Sequence, residues 1–280
     1  MPRELRGVEL AYELRLPKAP FTDLLIFYHG GGAHRGAGYG CLGEALAREA
    51  GLAVCLPDLR GHGASEGPRG FAPNPQAVWD DVDALCNAVA REFSGVRLHL
   101  GGHSSGAGLL VNYLTLHKPN SDIKSLILLA PDFGFRARLY RGGTTFGSFA
   151  RVSQWPFLLS AFSGGRLGNG IAAVHFDYGD HGIPEGCVAA YTVGMANAVT
   201  PTDPASQLKQ ILISMAVALP ENDELIDVAR LAAFLEQHAG NNASWDKLPG
   251  LGHLDVLCGA APFVRSALSR INSRIERSSP

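Results

Sequence analysis

Gly102-His103-Ser104-Ser105-Gly106 sets a serine between two glycines, and the segments on either side give that pattern its meaning. Val96-Arg97-Leu98-His99-Leu100 alternates and is β-prone, so it reads as a short strand; Ala107-Gly108-Leu109-Leu110-Val111-Asn112-Tyr113-Leu114 reads as a helix. A serine at a sharp strand-to-helix turn has its hydroxyl pushed above the sheet edge, where only glycine tolerates the crowding beside it. Such a hydroxyl becomes a nucleophile once a base takes its proton. Gly63-Ala64-Ser65-Glu66-Gly67 fits the same template but runs into Pro68, Gly70, Pro73 and Pro75, which read as barring an ordinary helix. Ser65 is therefore a loop residue, and Ser104 is the candidate.

A serine nucleophile requires a base, an acid to orient the base, and donors for the developing oxyanion. His253 comes late, in the glycine-bracketed stretch Leu248-Pro249-Gly250-Leu251-Gly252-His253, and is the candidate base. Asp223 follows the long apolar run ending at Leu219 and precedes His253, which makes it the candidate acid. No group of residues has metal-ligand spacing, and neither a metal nor a cofactor is expected. Gly30-Gly31-Gly32 lacks the Lys-Ser/Thr of a phosphate loop.

These residues need a frame. Apolar runs at residues 24–28, 52–56, 126–129 and 211–217 read as buried strands. Trp79, Val82, Leu85, Cys86 and Val89 fall at helical spacing, as do Val228, Leu231, Ala232 and Leu235, and finally Val264, Leu268, Ile271 and Ile275. Apolar strands separated by amphipathic helices imply an α/β fold: a mostly parallel central sheet with helices on both faces. In such sheets ligands sit at the carboxyl ends of the strands, where His29, Asp58 and Ser104 all fall. Residues 133–200 break the rhythm, being rich in glycine and aromatics (Tyr140, Phe146, Phe149, Trp155, Phe157, Phe162, Phe176, Tyr178) without clean periodicity. They read as an inserted cap, helical in part, on a single domain spanning 1–280.

Bulk composition narrows the classes. A hydrophobic content of 46% supports a sizeable core, and a net charge of -2 supplies no basic field for nucleic acid. The opening Met1-Pro2-Arg3-Glu4-Leu5-Arg6 has no apolar secretory core, and no apolar stretch is long enough for stable membrane insertion. Cys41, Cys55, Cys86, Cys187 and Cys258 are odd in number and scattered, and read as reduced core residues of a cytoplasmic protein. No nucleic-acid partner is expected.

Four blocks together resemble a known family over nearly the whole chain: His29-Gly30-Gly31-Gly32-Ala33-His34, Arg60-Gly61-His62-Gly63-Ala64-Ser65-Glu66-Gly67-Pro68-Arg69, the Ser104 turn, and Gly252-His253. The chain is similar to serine α/β-hydrolases of the monoacylglycerol lipase and lysophospholipase group, whose triad order of serine, acid and histidine it shares. That resemblance implies Ser104, Asp223 and His253 as triad, with the backbone N–H groups of Gly31 and Ser105 as oxyanion hole. It also implies a cap holding the acyl or alcohol part of a small-molecule ester, monoacylglycerol- or lysophospholipid-like, cleaved through an acyl-enzyme on Ser104. His34, His103, Trp155 and Phe157 are the candidate pocket residues.

Two places depart from the family pattern. The glycine usual three residues before the acid is Pro220, and the turn reads Ser104-Ser105-Gly106-Ala107 where a bulkier residue and a second glycine are common. Asp132, directly after the strand of 126–129, is therefore the rival acid. Acyl transfer or thioester cleavage with the same triad is the alternative activity, and an inactive binding protein of the same fold is a third.

Overall fold

Strands covered on both faces lose the polar half of their alternation, and here such strands lie side by side at the centre of the molecule. The computed structural model describes residues 3–5, 8–143 and 149–278, so Phe146 lies outside the described residues. In chain order the elements are β1 (Arg3–Leu5), β2 (Val8–Leu10), β3 (Tyr12–Arg15), β4 (Asp23–Tyr28), α1 (Tyr39–Glu49), β5 (Ala53–Pro57), α2 (Pro75–Glu92), β6 (Arg97–His103), α3 (Ser105–Asn112) and β7 (Ile123–Leu129). There follow β8 (Ala150–Val152), α4 (Gln154–Phe162), β9 (Ala172–Phe176), β10 (Ala190–Thr192) and α5 (Val193–Val199). The chain ends with α6 (Pro204–Gln210), β11 (Ser214–Pro220), α7 (Val228–His238), β12 (Ala243–Leu248), α8 (Val256–Gly259) and α9 (Ala261–Ser278).

Among the described residues the main sheet has seven strands, ordered β12-β11-β7-β6-β4-β5-β3. All neighbours run parallel except β3, which pairs antiparallel with β5. Successive strand residues feed two separate cores, as the pleat requires. Leu24, Ile26, Leu100, Leu126, Leu128 and Val217 pack with α2, α3 and α7. Leu25, Phe27, Val54, Leu56, Ile127 and Leu129 pack on the other face with α1, α8 and α9. The loops that carry Gly31, Asp58, Ser104, Asp132, Asp223 and His253 follow β4, β5, β6, β7, β11 and β12, so all six reach the same edge of the sheet.

The structure corrects two of the expectations and extends a third. Pro75 does not bar a helix but opens α2 at its first position, with Asn74 accepting the Ala77 N–H at 2.9 Å. Proline is tolerated there because that amide has no partner within the helix. Cys41 and Cys258 are not reduced core residues: they are exposed and paired as a disulfide, Cα–Cα 5.4 Å, joining α1 to α8. The pairing spans 217 residues, a proximity that only the tertiary fold creates. Third, the segment between β7 and α6, expected as a cap helical in part, does carry helices α4 and α5, and beside them a separate antiparallel sheet, ordered β10-β9-β8, that the sequence reading left out. Ala172-Ala173-Val174-His175-Phe176 is the short, β-branched and aromatic stretch that holds the centre of that sheet.

Candidate active site

Ser104 sits between β6 and α3 with φ at 52°, a left-handed conformation that a side chain rarely adopts. Three backbone hydrogen bonds hold it there: its N–H donates to Leu129 O at 3.1 Å, and its carbonyl accepts from Ala107 N at 3.0 Å and Asp132 N at 3.1 Å. The flanking glycines are required by close approach. A Cβ on Gly102 would lie 2.5 Å from Gly106 O, and one on Gly106 would lie 2.6 Å from both Tyr28 O and His29 O. The turn therefore forces the serine hydroxyl out beyond the sheet edge.

That hydroxyl meets His253, whose Nε2 is 3.0 Å from Ser104 Oγ, while Nδ1 lies 2.9 Å from Asp223 Oδ2. Asp223 is buried after β11, its Oδ1 accepting the N–H groups of Leu225 at 2.9 Å and Ile226 at 2.8 Å. Burial pushes its carboxyl up, but the His253 contact and these two amides outweigh burial and hold it below the ordinary carboxylate range. Pro220 does not disturb the loop: its carbonyl accepts the Asp223 N–H at 3.2 Å. The main chain of His253 is fixed at both polar groups, its N–H donating to Glu224 Oε2 and its carbonyl accepting from His103 Nε2, each at 2.9 Å.

Asp132 is engaged elsewhere. Its carboxylate accepts from Tyr140 OH, 2.9 Å from both oxygens, and from Gly134 N at 2.7 Å. Burial nonetheless raises its pKa, and it lines the cavity without a hydrogen bond to the His253 ring. Ser65 is a clamp in the loop after β5, donating to Asp58 O at 2.8 Å and accepting from Ala11 N at 2.9 Å. Arg60 makes a two-pronged pair with Asp81 on α2, at 2.5 and 2.7 Å, which fixes the same loop.

Gly31 lies beside Ser105. A Cβ on Gly31 would lie 3.3 Å from Ser105 Oγ. Ser105 is the first residue of α3, so its N–H has no carbonyl one turn back to bond. In front of Ser104 opens a cavity of about 1110 Å³ between the sheet edge and the β8-β9-β10 segment. His34, His103 and Phe157 line it, whereas Trp155 does not. On α4 the residues facing the cavity are Gln154, Phe157 and Leu158, one stripe at helical spacing; Trp155 is turned about 100° away, and is 59% exposed.

Tyr39, Tyr191, Phe176 and Tyr178 also reach the cavity, and sequence patterns gave them no role in positioning the site. Phe176 and Tyr178 lay within an aromatic-rich stretch, but only the packing of β9 and β10 over the glycine loop reveals their partners. Among the described residues no three His, Cys, Asp or Glu side chains cluster so as to hold a metal ion, and no helix is long and apolar enough to cross a membrane.

Residues 20–254 match the family model described as serine aminopeptidase, S33. Among solved structures, the chain is similar to a soluble variant of monoglyceride lipase from Saccharomyces cerevisiae, crystallised with a substrate analog, at 14% identity and a TM-score of 0.74, covering 97% of this chain and 94% of that one. It is also similar to a monoacylglycerol lipase of Paleococcus ferrophilus (16% identity, TM-score 0.67, 92% and 99% covered). A third is Est1E from Butyrivibrio proteoclasticus, solved with ferulic acid (19% identity, TM-score 0.63, 96% and 99% covered).

Proposed function

The chain belongs to the serine aminopeptidase S33 family and has the α/β-hydrolase fold, and from that premise we propose that it is a carboxylic ester hydrolase working through Ser104. The observation that carries this reading is the linear contact from Ser104 Oγ through His253 to Asp223, at 3.0 and 2.9 Å. His253 Nε2 takes the hydroxyl proton as Ser104 Oγ attacks the ester carbonyl carbon. The carbonyl oxygen becomes an oxyanion held by the N–H groups of Gly31 and Ser105. Collapse expels the alcohol, which receives its proton from His253, and leaves an acyl-enzyme. Water then attacks the acyl carbon, again losing its proton to His253, and Ser104 is regenerated.

Residues 133–200 serve in this reading as the cap that shapes the pocket. Phe157, Leu158, Val174, Phe176 and Leu254 offer apolar surface there, which suits an alkyl chain better than a peptide backbone. The named relatives include a monoglyceride lipase and a monoacylglycerol lipase, and a lipid-like monoester is the substrate class assigned here. The test is turnover of p-nitrophenyl butyrate, monoacylglycerols and aminoacyl anilides by wild type and Ser104→Ala. Ester turnover lost in the variant is expected. Turnover of anilides alone, or an active Ser104→Ala, would refute the reading.

A further inference from the structure

The three amides of Gly30, Gly31 and Gly32 have different fates. Gly30 N–H donates to Tyr39 OH at 2.7 Å and Gly32 N–H donates to Tyr191 OH at 2.9 Å. The amide between them, of Gly31, has no acceptor among the described residues. Each tyrosine hydroxyl is backed by a histidine. Tyr39 OH lies 2.9 Å from His103 Nδ1, and His103 Nε2 lies 2.9 Å from His253 O. Tyr191 OH lies 3.0 Å from His62 Nε2, and His62 Nδ1 lies 2.9 Å from Arg60 O.

The proton directions in both relays are fixed by their ends. A carbonyl only accepts, so the ring nitrogen facing it must carry the hydrogen. Burial pushes both rings down to about 3, so each is neutral and its other nitrogen is an acceptor. Each tyrosine must then donate its one proton to its histidine, leaving the oxygen free to accept a glycine amide. The carbonyl side of the loop is held as well: His29 Nδ1 donates to Gly30 O at 3.0 Å, and Tyr178 OH donates to Gly32 O at 3.0 Å.

A peptide unit is planar, so fixing its N–H or its C=O fixes the whole unit. Tyr39 pins the unit joining residues 29 and 30, His29 that joining 30 and 31, and Tyr191 that joining 31 and 32. Glycine otherwise moves through these conformations freely, and an unpinned loop would pay for aiming its amide at each turnover. We propose that Tyr39 and Tyr191, backed by His103 and His62, are positioning residues that hold the peptide units on either side of the one His29 pins, and so keep the Gly31 amide aimed at the oxyanion. This rests on the ester-hydrolase reading above. One clamp stands on α1 and the other on β10, so the oxyanion donor is set jointly by the core and by the segment over it.

The test compares Tyr39→Phe and Tyr191→Phe with wild type on p-nitrophenyl butyrate, with a butyl trifluoromethyl ketone as tetrahedral-adduct inhibitor. Deleting an oxyanion donor costs on the order of a hundredfold in kcat, and misaiming one should cost about tenfold or more. The expected result is that fall in kcat, KM within about twofold, and a Ki rising in parallel with the loss of kcat/KM. Tyr113→Phe is the control for burial alone: it removes an equally buried hydroxyl, bonded to Asp83 at 2.9 Å away from the site, and should leave kcat and Ki unchanged. If either phenylalanine variant fails to fold, His103→Asn and His62→Asn loosen the same relays from their far ends, and the same parallel rise in Ki is expected. Wild-type kcat and Ki in the tyrosine or histidine variants, beside an inactive Ser104→Ala, would overturn the clamp and leave the triad standing. An active Ser104→Ala would overturn the triad reading and the clamp with it.

Discussion

Replacing Asp223 by asparagine should disable the base through its tautomer rather than its position. Asp223 Oδ1 accepts two backbone amides, Leu225 at 2.9 Å and Ile226 at 2.8 Å, while Oδ2 faces His253 Nδ1 at 2.9 Å. An asparagine must keep its oxygen on the two amides, because turning the NH₂ toward them would oppose donors to donors. The NH₂ group then faces His253 Nδ1, which can only accept from it. The imidazole hydrogen moves to Nε2, and Nε2 no longer takes the Ser104 proton. In a serine protease the same substitution lowers kcat about 10⁴-fold, which is roughly 5.5 kcal/mol of barrier, and the same order is expected here. The side chains are nearly isosteric, so the melting temperature should change little. Asp132→Asn, whose carboxylate is committed to Tyr140 and Gly134, should cost less than about tenfold by the same kinetic conversion. Steady-state kinetics with p-nitrophenyl butyrate and thermal melts of both variants provide the check. The reverse ranking, with Asp132→Asn crippled and Asp223→Asn active, would refute the reasoning.

Ser65→Ala should keep kcat but lower stability by about 1–3 kcal/mol in urea, the cost of a buried unpaired amide, since Ala11 N–H loses its acceptor; a variant as stable as wild type would contradict the clamp. His29, His62 and His103 are brought by burial from 6.5 to about 4, about 3 and about 3. The unfolded chain therefore binds more protons below pH 6.5, and each ring withdraws about 1.4 kcal/mol of stability per pH unit between there and its folded value. Melting temperatures should fall steadily from pH 7 to pH 5, and a flat profile would count against neutral rings. Across straight-chain esters, kcat/KM should rise about fourfold per methylene, from about 0.8 kcal/mol each, until the cavity is full. Phe157→Ala should alter that profile and Trp155→Ala should not; equal effects would misplace the cavity wall.

The sequence made the centre of the molecule legible because fully buried strands and sharp turns have local signatures. The runs at 24–28, 52–56 and 126–129 lie within or overlap β4, β5 and β7, and the Ser104 turn falls between β6 and α3. The run at 211–217 starts too early, since β11 begins at Ser214 and Ile211 instead caps α6. Strand β12, Ala-Ser-Trp-Asp-Lys-Leu, carries no apolar run because it is the sheet's edge and only half covered. Ser104, Asp223 and His253 could be named from residue type, order and the loops they occupy. Tyr39, Tyr191 and Glu224 could not, because their significance lies in hydrogen bonds across 9, 159 and 29 residues of chain. Trp155 was placed in the cavity by composition, and only the phase of α4 shows which of its aromatics turns inward.

The Cys41–Cys258 pairing makes most of the chain a covalent ring. Ser104, Asp223 and His253 all lie on that ring, while Gly31 lies on the tail outside it. A protease cut after Phe162, which is 91% exposed on α4, would open the ring without releasing either part. The two pieces would still be joined beside His253, and the sheet that threads through both would hold them in place. Nicked protein would run as one band on a denaturing gel without reductant and as two with it. Damage over the pocket thus need not separate Ser104 from His253.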